Sequence, residues 1–313
     1  MKNTLKDLNV FLHPKQKAIL NNLTEKNPII DSIPVKPASH GFYNVFAKTT
    51  SIDGMEEVDF DEELPTVGIS FELGQARLGK IGGTLAMPKD AAEAMGGYSA
   101  YANNRLPQII ANAGNKQERR IYYKGFVAKA LANKRFINVG GTTAGKQFSM
   151  AFVHWDEDST VGLYNPNDAS NGKLFTQLPL NGGKEYKVKD LKYAIGKEIA
   201  SWIQFGLQLE DERFVHALVN IELKQNENDR DKIDGLPTAM MIDDAIAAVR
   251  GEPYSTIIYC HTTLIGKLAL KYQLPQRQVT DATRGVSYLI TEWNKIPFVG
   301  SYNVNWGTEE VIG

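Results

Sequence analysis

Phe205-Gly206-Leu207-Gln208-Leu209-Glu210-Asp211-Glu212-Arg213-Phe214-Val215, running on to Val219-Asn220-Ile221, joins two apolar runs through a short acidic break. Ile199–Leu209 and Phe214–Leu223 have the length and residue types of strands. Glu210-Asp211-Glu212 between them must stay in water, because desolvating ionised carboxylates is costly.

Strand patterns continue upstream at Phe136–Val139, Phe148–His154 and Val161–Tyr164. Asn165-Pro166-Asn167-Asp168 and Asn181-Gly182-Gly183 are turns by composition. Downstream, Asn226–Asp234 is a charged, exposed link. Thr238 caps an expected helix through Met241, Ile242, Ile246 and Val249, with Asp243 and Asp244 early in it. Ser255–Cys260 is a buried strand, and Thr262 or Thr263 starts a second helix with Leu264, Ile265, Leu268 and Leu270. Val286, Tyr288 and Ile290 alternate before a turn at Asn294-Lys295, and Ile296, Phe298 and Val299 follow. Helices and strands so intermixed indicate an α+β fold.

Residues 98–125 carry helix signals: Asn104 as a cap, Pro107 in a first turn, then Leu106, Ile109, Ile110 and Ala113 at helical spacing. Ile121-Tyr122-Tyr123 closes that helix before Gly125. Residues 41–97 read as a projecting β-ribbon of three strand-like pieces: Phe42, Val45 and Ala47; Val67, Ile69 and Phe71; and Leu78–Leu85. The run Glu56–Glu63 holds six carboxylates in eight positions and must be an exposed loop. Residues 1–40 begin with a short helical pattern at Pro14–Leu23. Pro28, Pro34 and Pro37 then break regular structure around Ile29, Ile30, Ile33 and Val35. That apolar, proline-spaced segment lies either on its own domain or on a neighbouring subunit.

Composition narrows the function. Lys and Arg total 35 against 36 Asp and Glu, a net charge of −1, so the surplus of cations usual in phosphate-gripping proteins is missing. The single cysteine, Cys260, excludes an intrachain disulfide framework and a multi-cysteine metal site. No apolar run approaches the ~20 residues of a membrane-spanning helix, and Met1–Asp7 has no apolar signal core.

No motif assembles a catalytic, cofactor or metal site. Gly140-Gly141-Thr142-Thr143-Ala144-Gly145-Lys146 fits G-x-x-x-x-G-K, but Gln147 replaces the metal-binding Ser or Thr. Phe148–His154 alternates as a strand where a phosphate loop needs a helix. A glycine-rich hairpin loop is the default reading. Cys260-His261 are neighbours on a strand and point to opposite faces. His154-Trp155-Asp156-Glu157-Asp158 has no second His at ligand spacing, and Asn226–Asp231 has a calcium loop's composition without its Gly and Glu in place.

Several stretches, taken in order, resemble the major capsid proteins of short-tailed bacteriophages of the epsilon-fifteen type, which have the Hong Kong 97-type capsid fold. They are Asn27-Pro28-Ile29-Ile30 before Ile33-Pro34, Leu64-Pro65-Thr66-Val67, Ile121-Tyr122-Tyr123 near Gly125, and Gly162-Leu163-Tyr164 before Gly172 and Leu174. Phe205–Val215 with Val219–Ile221 is the most specific, and Ile296-Pro297, Asn303 and Glu309 close the series. The resemblance implies an N-terminal arm at 1–40 and an extended loop at 41–97. It implies a peripheral domain with a spine helix at 98–155 and 274–313, and an axial domain at 156–273. It implies no enzyme and no cofactor. The expected subunit self-assembles into pentamers and hexamers of an icosahedral virion shell around double-stranded DNA, with scaffolding, portal and possible decoration proteins, in the bacterial host cytoplasm. Gly96-Gly97 and Pro107 interrupt the spine helix, and the acidic insertion at 51–63 lengthens the ribbon. Some relatives of this fold form Lys–Asn crosslinks; no pair here is assigned to one. Two alternatives belong to other classes: an encapsulin-like cellular compartment shell, and a soluble nucleotide-binding enzyme using Gly140–Lys146.

Overall fold

The computed structural model describes residues 26–53, 66–170, 175–189, 194–225, 233–281, 286–305 and 307–312, with residues 4, 5, 23, 57 and 63. The helical pattern before Leu23, most of the acidic run and the link at 226–232 lie outside them.

In chain order the elements begin with α1 (Pro28–Ser32), β1 (Val35–Pro37), β2 (Tyr43–Asp53), β3 (Gly68–Arg77) and β4 (Gly79–Pro88). Then come α2 (Lys89–Ala94), α3 (Tyr98–Arg120), a π-helical segment Ile121–Val127, and α4 (Ala128–Ala132). Strands β5 (Phe136–Asn138), β6 (Gln147–His154) and β7 (Thr160–Tyr164) follow, then α5 (Pro166–Ser170), β8 (Phe175–Pro179), β9 (Tyr186–Lys187), β10 (Ile195–Leu209) and β11 (Val215–Glu222). The last third holds β12 (Lys224–Gln225), β13 (Ile233–Asp234), α6 (Ala239–Ala248), β14 (Thr256–His261), α7 (Thr262–Tyr272), β15 (Gln276–Asp281), β16 (Val286–Trp293) and β17 (Ile296–Ser301).

Among the described residues, one sheet has the order β15-β16-β17-β14-β6-β11-β5. Its central strands are buried on both faces and divide their side chains by parity. Phe148, Met150 and Phe152 of β6 join Leu218, Ile258 and Cys260 in a core under α6 and α7, with Ile242, Leu264 and Leu268. Ala151 and Val153 of β6 join Ala217, Val219 and Tyr259 in a second core with Ile110, Tyr122 and Phe126 of the long helical run. The Thr238 hydroxyl accepts from the Met241 amide, as its position before α6 requires. At α7 the cap is the His261 imidazole, which accepts from Thr263 N at 3.1 Å, rather than a threonine.

The second sheet is built on β10. β4 pairs along one edge from Gly196↔Pro88 to Phe205↔Gly79, while β9, β8 and β7 succeed one another along the other, and β1 adds to β7 in parallel. The two strands around Glu210-Asp211-Glu212 therefore part company: β10 and β11 enter different sheets. Strand character is local, but pairing is settled by tertiary contacts.

Three expectations are corrected. The ribbon has two strands, not three: β2 pairs with β3, and β4, separated from β3 only by Leu78, belongs to the β10 sheet. Pro107 neither starts nor breaks the spine helix, which begins at Tyr98 after Gly96 and Gly97 at positive φ and runs through Ile121 to Ala132. Pro107 is exposed, so the Asn103 carbonyl it leaves unbonded faces water. Finally, Ile29, Ile30 and Ile33 are at most 1% exposed within the subunit itself, in the core beside Ile110 and Ile121. Of the two surfaces left open for that segment, its own domain is the one it covers.

Candidate assembly surfaces

The β2–β3 ribbon leaves the body at Tyr43↔Arg77 and is paired to Asp53↔Gly68, with a bulge between Thr49 and Ser51. Its base is held by two contacts to the end of β10 and beyond: Asn44 Nδ2 donates to Gln208 Oε1 at 2.6 Å, and Lys48 Nζ lies 3.2 Å from Glu212 Oε1. Alternation in β3 puts Ile69, Phe71 and Leu73 on one face, and they are 59%, 65% and 70% exposed. Contiguous exposed apolar surface of this kind marks an interaction site.

At the ribbon's base lies a cleft of about 590 Å³. Its walls are the ends of β2 and β3, the helical run from Gln117 to Ala132, and β10 at Phe205, Gly206, Leu207 and Leu209. Arg77, Arg120, Lys124 and Lys129 line it, with no carboxylate beside them among the described residues. A Cβ on Gly79 would overlap the Arg120 guanidinium, so glycine there lets the arginine lie against β4.

The spine helix is tied down by buried carboxylates. Glu118 Oε1 accepts the Ile29 amide at 2.7 Å, and Oε2 accepts the Ser301 hydroxyl at 2.6 Å and the Asn303 amide group. One mid-chain side chain thus holds segments from both ends of the sequence. Burial pushes its pKa up against those donors. Four residues on, in the π-helical segment, Tyr122 Oη donates to the Ser149 carbonyl at 2.7 Å. In the sequence Glu118 is one charge among several in Lys116–Arg120. The signal was its phase, since Ile110, Ala113, Gly114, Gln117, Glu118 and Ile121 form one helical face, all buried.

The Gly140–Lys146 loop holds a carboxylate of its own chain. Glu222 Oε2 accepts the amides of Thr142 at 2.9 Å and Thr143 at 3.1 Å, and Oε1 accepts the Thr143 hydroxyl at 2.6 Å. These donors hold its carboxyl down at about 2. The strand β6 follows at once, as expected. The loop is not a hairpin, though: β5 and β6 flank β11 on opposite sides, and the loop crosses the end of that strand. A side chain on Gly141 would strike the Asn220 carbonyl. Cys260 is fully buried, and its thiol is pushed up by desolvation. Among the described residues no cluster of His, Cys, Asp or Glu is arranged to hold a metal.

The pattern is that of a part made to be covered, with an exposed apolar ribbon beside a basic cleft. The family of the major capsid protein GP7 matches residues 120–300, more than half of the chain. The chain belongs to this family of major capsid proteins. The capsid protein is also similar to the solved structure of bacteriophage Epsilon15, at 15% identity over 90% of this chain and 87% of that one, with a TM-score of 0.53. A lower similarity, 10% identity and a TM-score of 0.46, relates it to the bacteriophage JBD30 capsid over 75% of this chain and 79% of that one. No curated protein matches it. The capsid protein has the Hong Kong 97-type fold expected from the sequence, and it is a structural subunit of a capsid shell.

Proposed function

We propose that this subunit forms pentamers and hexamers of an icosahedral phage shell that encloses double-stranded DNA without reading its sequence. The observation that carries the proposal is the ribbon face Ile69, Phe71 and Leu73, an apolar surface with no cover within the subunit. The overall charge of −1 agrees with a wall that does not grip the packed genome. Scaffolding and portal proteins, assembly in the host cytoplasm, and the lack of any enzymatic role belong to the same reading. Glu222, seated where a nucleotide phosphate would go in the Gly140–Lys146 loop, supports that lack.

The division into domains is proposed with redrawn bounds. The expected split at 155–156 and 273–274 cuts the β15–β5 sheet, because β6 and β17 bond to β11 and β14 across it. Sheet membership suggests an axial domain of that sheet with α6 and α7. The peripheral domain would then be the spine helix with the β10 sheet, and the extended loop the β2–β3 ribbon.

Electron microscopy of the expressed protein, alone and with the phage's scaffolding protein, tests the reading. Closed shells or capsomers are the expected result. A monomer at every concentration, with scaffold present, would overturn it. The contents of particles made during infection separate a genome container from a compartment for protein cargo.

A further inference from the structure

The last residues of the chain are fastened mainly by polar ties. β14 pairs with β6 only as far as Cys260↔Met150, and Glu309 takes the place beside Gln147 that β14 does not reach. Glu309 and Gln147 exchange backbone hydrogen bonds at 3.2 and 3.3 Å, and the Gly145 amide donates to the same Glu309 carbonyl at 3.1 Å. Three residues on, Asn220 Nδ2 donates to the Ile312 carbonyl at 2.7 Å, and the Ile312 amide donates to Asn220 Oδ1 at 2.8 Å. Apolar anchorage is slight, since Ile312 is half-buried and Val311 is exposed. Gly307, at φ +54°, starts the segment against the ring of Phe148, where a Cβ would come within 2.9 Å. Each hydrogen bond adds little net free energy, so a segment held this way sits at the low end of local stability.

In the middle of that segment one carboxyl is sealed in. Glu309 is 9% exposed, and the Tyr123 phenol and the Ser149 hydroxyl both donate to one of its oxygens. The titratable groups about it are Tyr122 and Tyr123 of the π-helical segment, with Cys260 of β14 close to Tyr122. Glu222 of β11 meets the same seat through the Gln147 side chain. Arg119 of the spine helix bonds the Asn305 side chain instead, and Lys146, next to Gln147, makes no ion pair with a described residue. A neutral acid suits such a seat, whereas a carboxylate in it is buried without a cation. Burial accordingly lifts the group from 4.5 to about 7. We propose that Gly307–Ile312 is a strap released by rising pH: it lies shut while Glu309 is protonated and lifts from β6, ahead of the rest of the subunit, once that carboxyl ionises. Lifting it uncovers Phe148 and Ser149, which are otherwise buried.

The test is amide hydrogen exchange on the full-length unassembled chain, read in peptides covering 307–312 and 145–147 and corrected for the intrinsic rate at each pH. The lifted strap releases its proton near 4.5 and the shut strap near 7. Protection of these amides should therefore fall about tenfold for each pH unit between 5 and 7 and level off above. Peptides from β14, residues 256–261, should keep their protection over the same range. Glu309→Gln keeps an acceptor for Tyr123 and Ser149 but cannot ionise, so its strap should stay protected at every pH. Three results would each overturn the proposal: a strap whose protection ignores pH, a strap and β14 that open in step, or a fall that survives Glu309→Gln. If circular dichroism shows Glu309→Gln unfolded, Ser149→Ala decides. Loss of that donor should move the break to higher pH, which lost packing alone would not do, and a break left at about 7 would overturn the role of Glu309.

Discussion

The phenol of Tyr123 donates a 2.7 Å hydrogen bond to the carboxyl of Glu309, joining the π-helical segment to the last residues of the chain. Ser149 Oγ donates to the same oxygen at 3.0 Å, and Gln147 and Glu309 exchange backbone hydrogen bonds. Among the described residues no cation makes an ion pair with the carboxyl, and burial lifts it from 4.5 to about 7. The folded chain therefore keeps a proton that the unfolded chain releases near 4.5. The stability this gives is complete below that value and lost as pH rises through 7. Thermal unfolding of unassembled subunits followed from pH 5 to 8 should show a fall, worth roughly 3 kcal/mol from this group. Glu309→Gln should flatten it. An unchanged slope would remove Glu309 as its source.

Glu118→Ala should be severe. It leaves the Ile29 amide, the Ser301 hydroxyl and the Asn303 side chain without their shared acceptor. Orphaning buried donors costs about 1–3 kcal/mol each, so a loss of roughly 3 kcal/mol or more is expected in urea unfolding. Glu118→Gln keeps an acceptor and should lose less.

Ile30→Ala should cost about 2–5 kcal/mol, because the side chain is enclosed by its own subunit's core. Deleting residues 1–33 should unfold the subunit instead of leaving a soluble core, which circular dichroism would show directly. A folded truncation would mean that the segment is dispensable packing.

Leu73→Asp with Phe71→Asp should do the opposite. Both side chains are exposed on the ribbon, so the melting temperature should hold while sedimentation shows that large assemblies are lost. Assembly at the usual level would show that this face is not an interface.

The loop around Glu222 gives an acid-side signature. Its carboxyl is depressed, so its contribution is present above 4.5 and lost as pH falls through 2. Glu222→Gln should steepen neither limb at neutral pH, yet abolish this component of acid unfolding between pH 5 and 2. Lys146→Ala should leave ATP binding at background, and saturable binding abolished by that change would revive the nucleotide site.

What was legible in the sequence is what repeats locally. The strand at Phe148–His154, the helix behind Thr238 and the hairpin turning at Asn294-Lys295 follow from period and cap alone. Pro107 carries a local cost that points to a break in the long helix, and packing along the whole Ile110–Ile121 face outweighs it. The isoleucines of the N-terminal segment announced burial, but apolarity does not say in which subunit. The cleft was invisible for a different reason. Its cations stand at 77, 120, 124 and 129, and only the fold brings Arg77 to the helix. The acidic run, being contiguous, was plain at once.

Glu118 has a consequence for the order of events during synthesis. Its partners lie at residue 29 and at residues 301 and 303, so this tie cannot be completed until nearly the whole chain has been made. The ribbon pairs residues 15 to 34 apart, from Asp53↔Gly68 to Tyr43↔Arg77, so its strands are both made much earlier. The cleft walls, drawn from β3, the spine helix and β10, must wait at least until β10 is made. A nascent chain would thus present the exposed Ile69, Phe71 and Leu73 before its own body is complete. Contact between such faces on incomplete neighbours is then a hazard of synthesis that lasts as long as the body takes to finish.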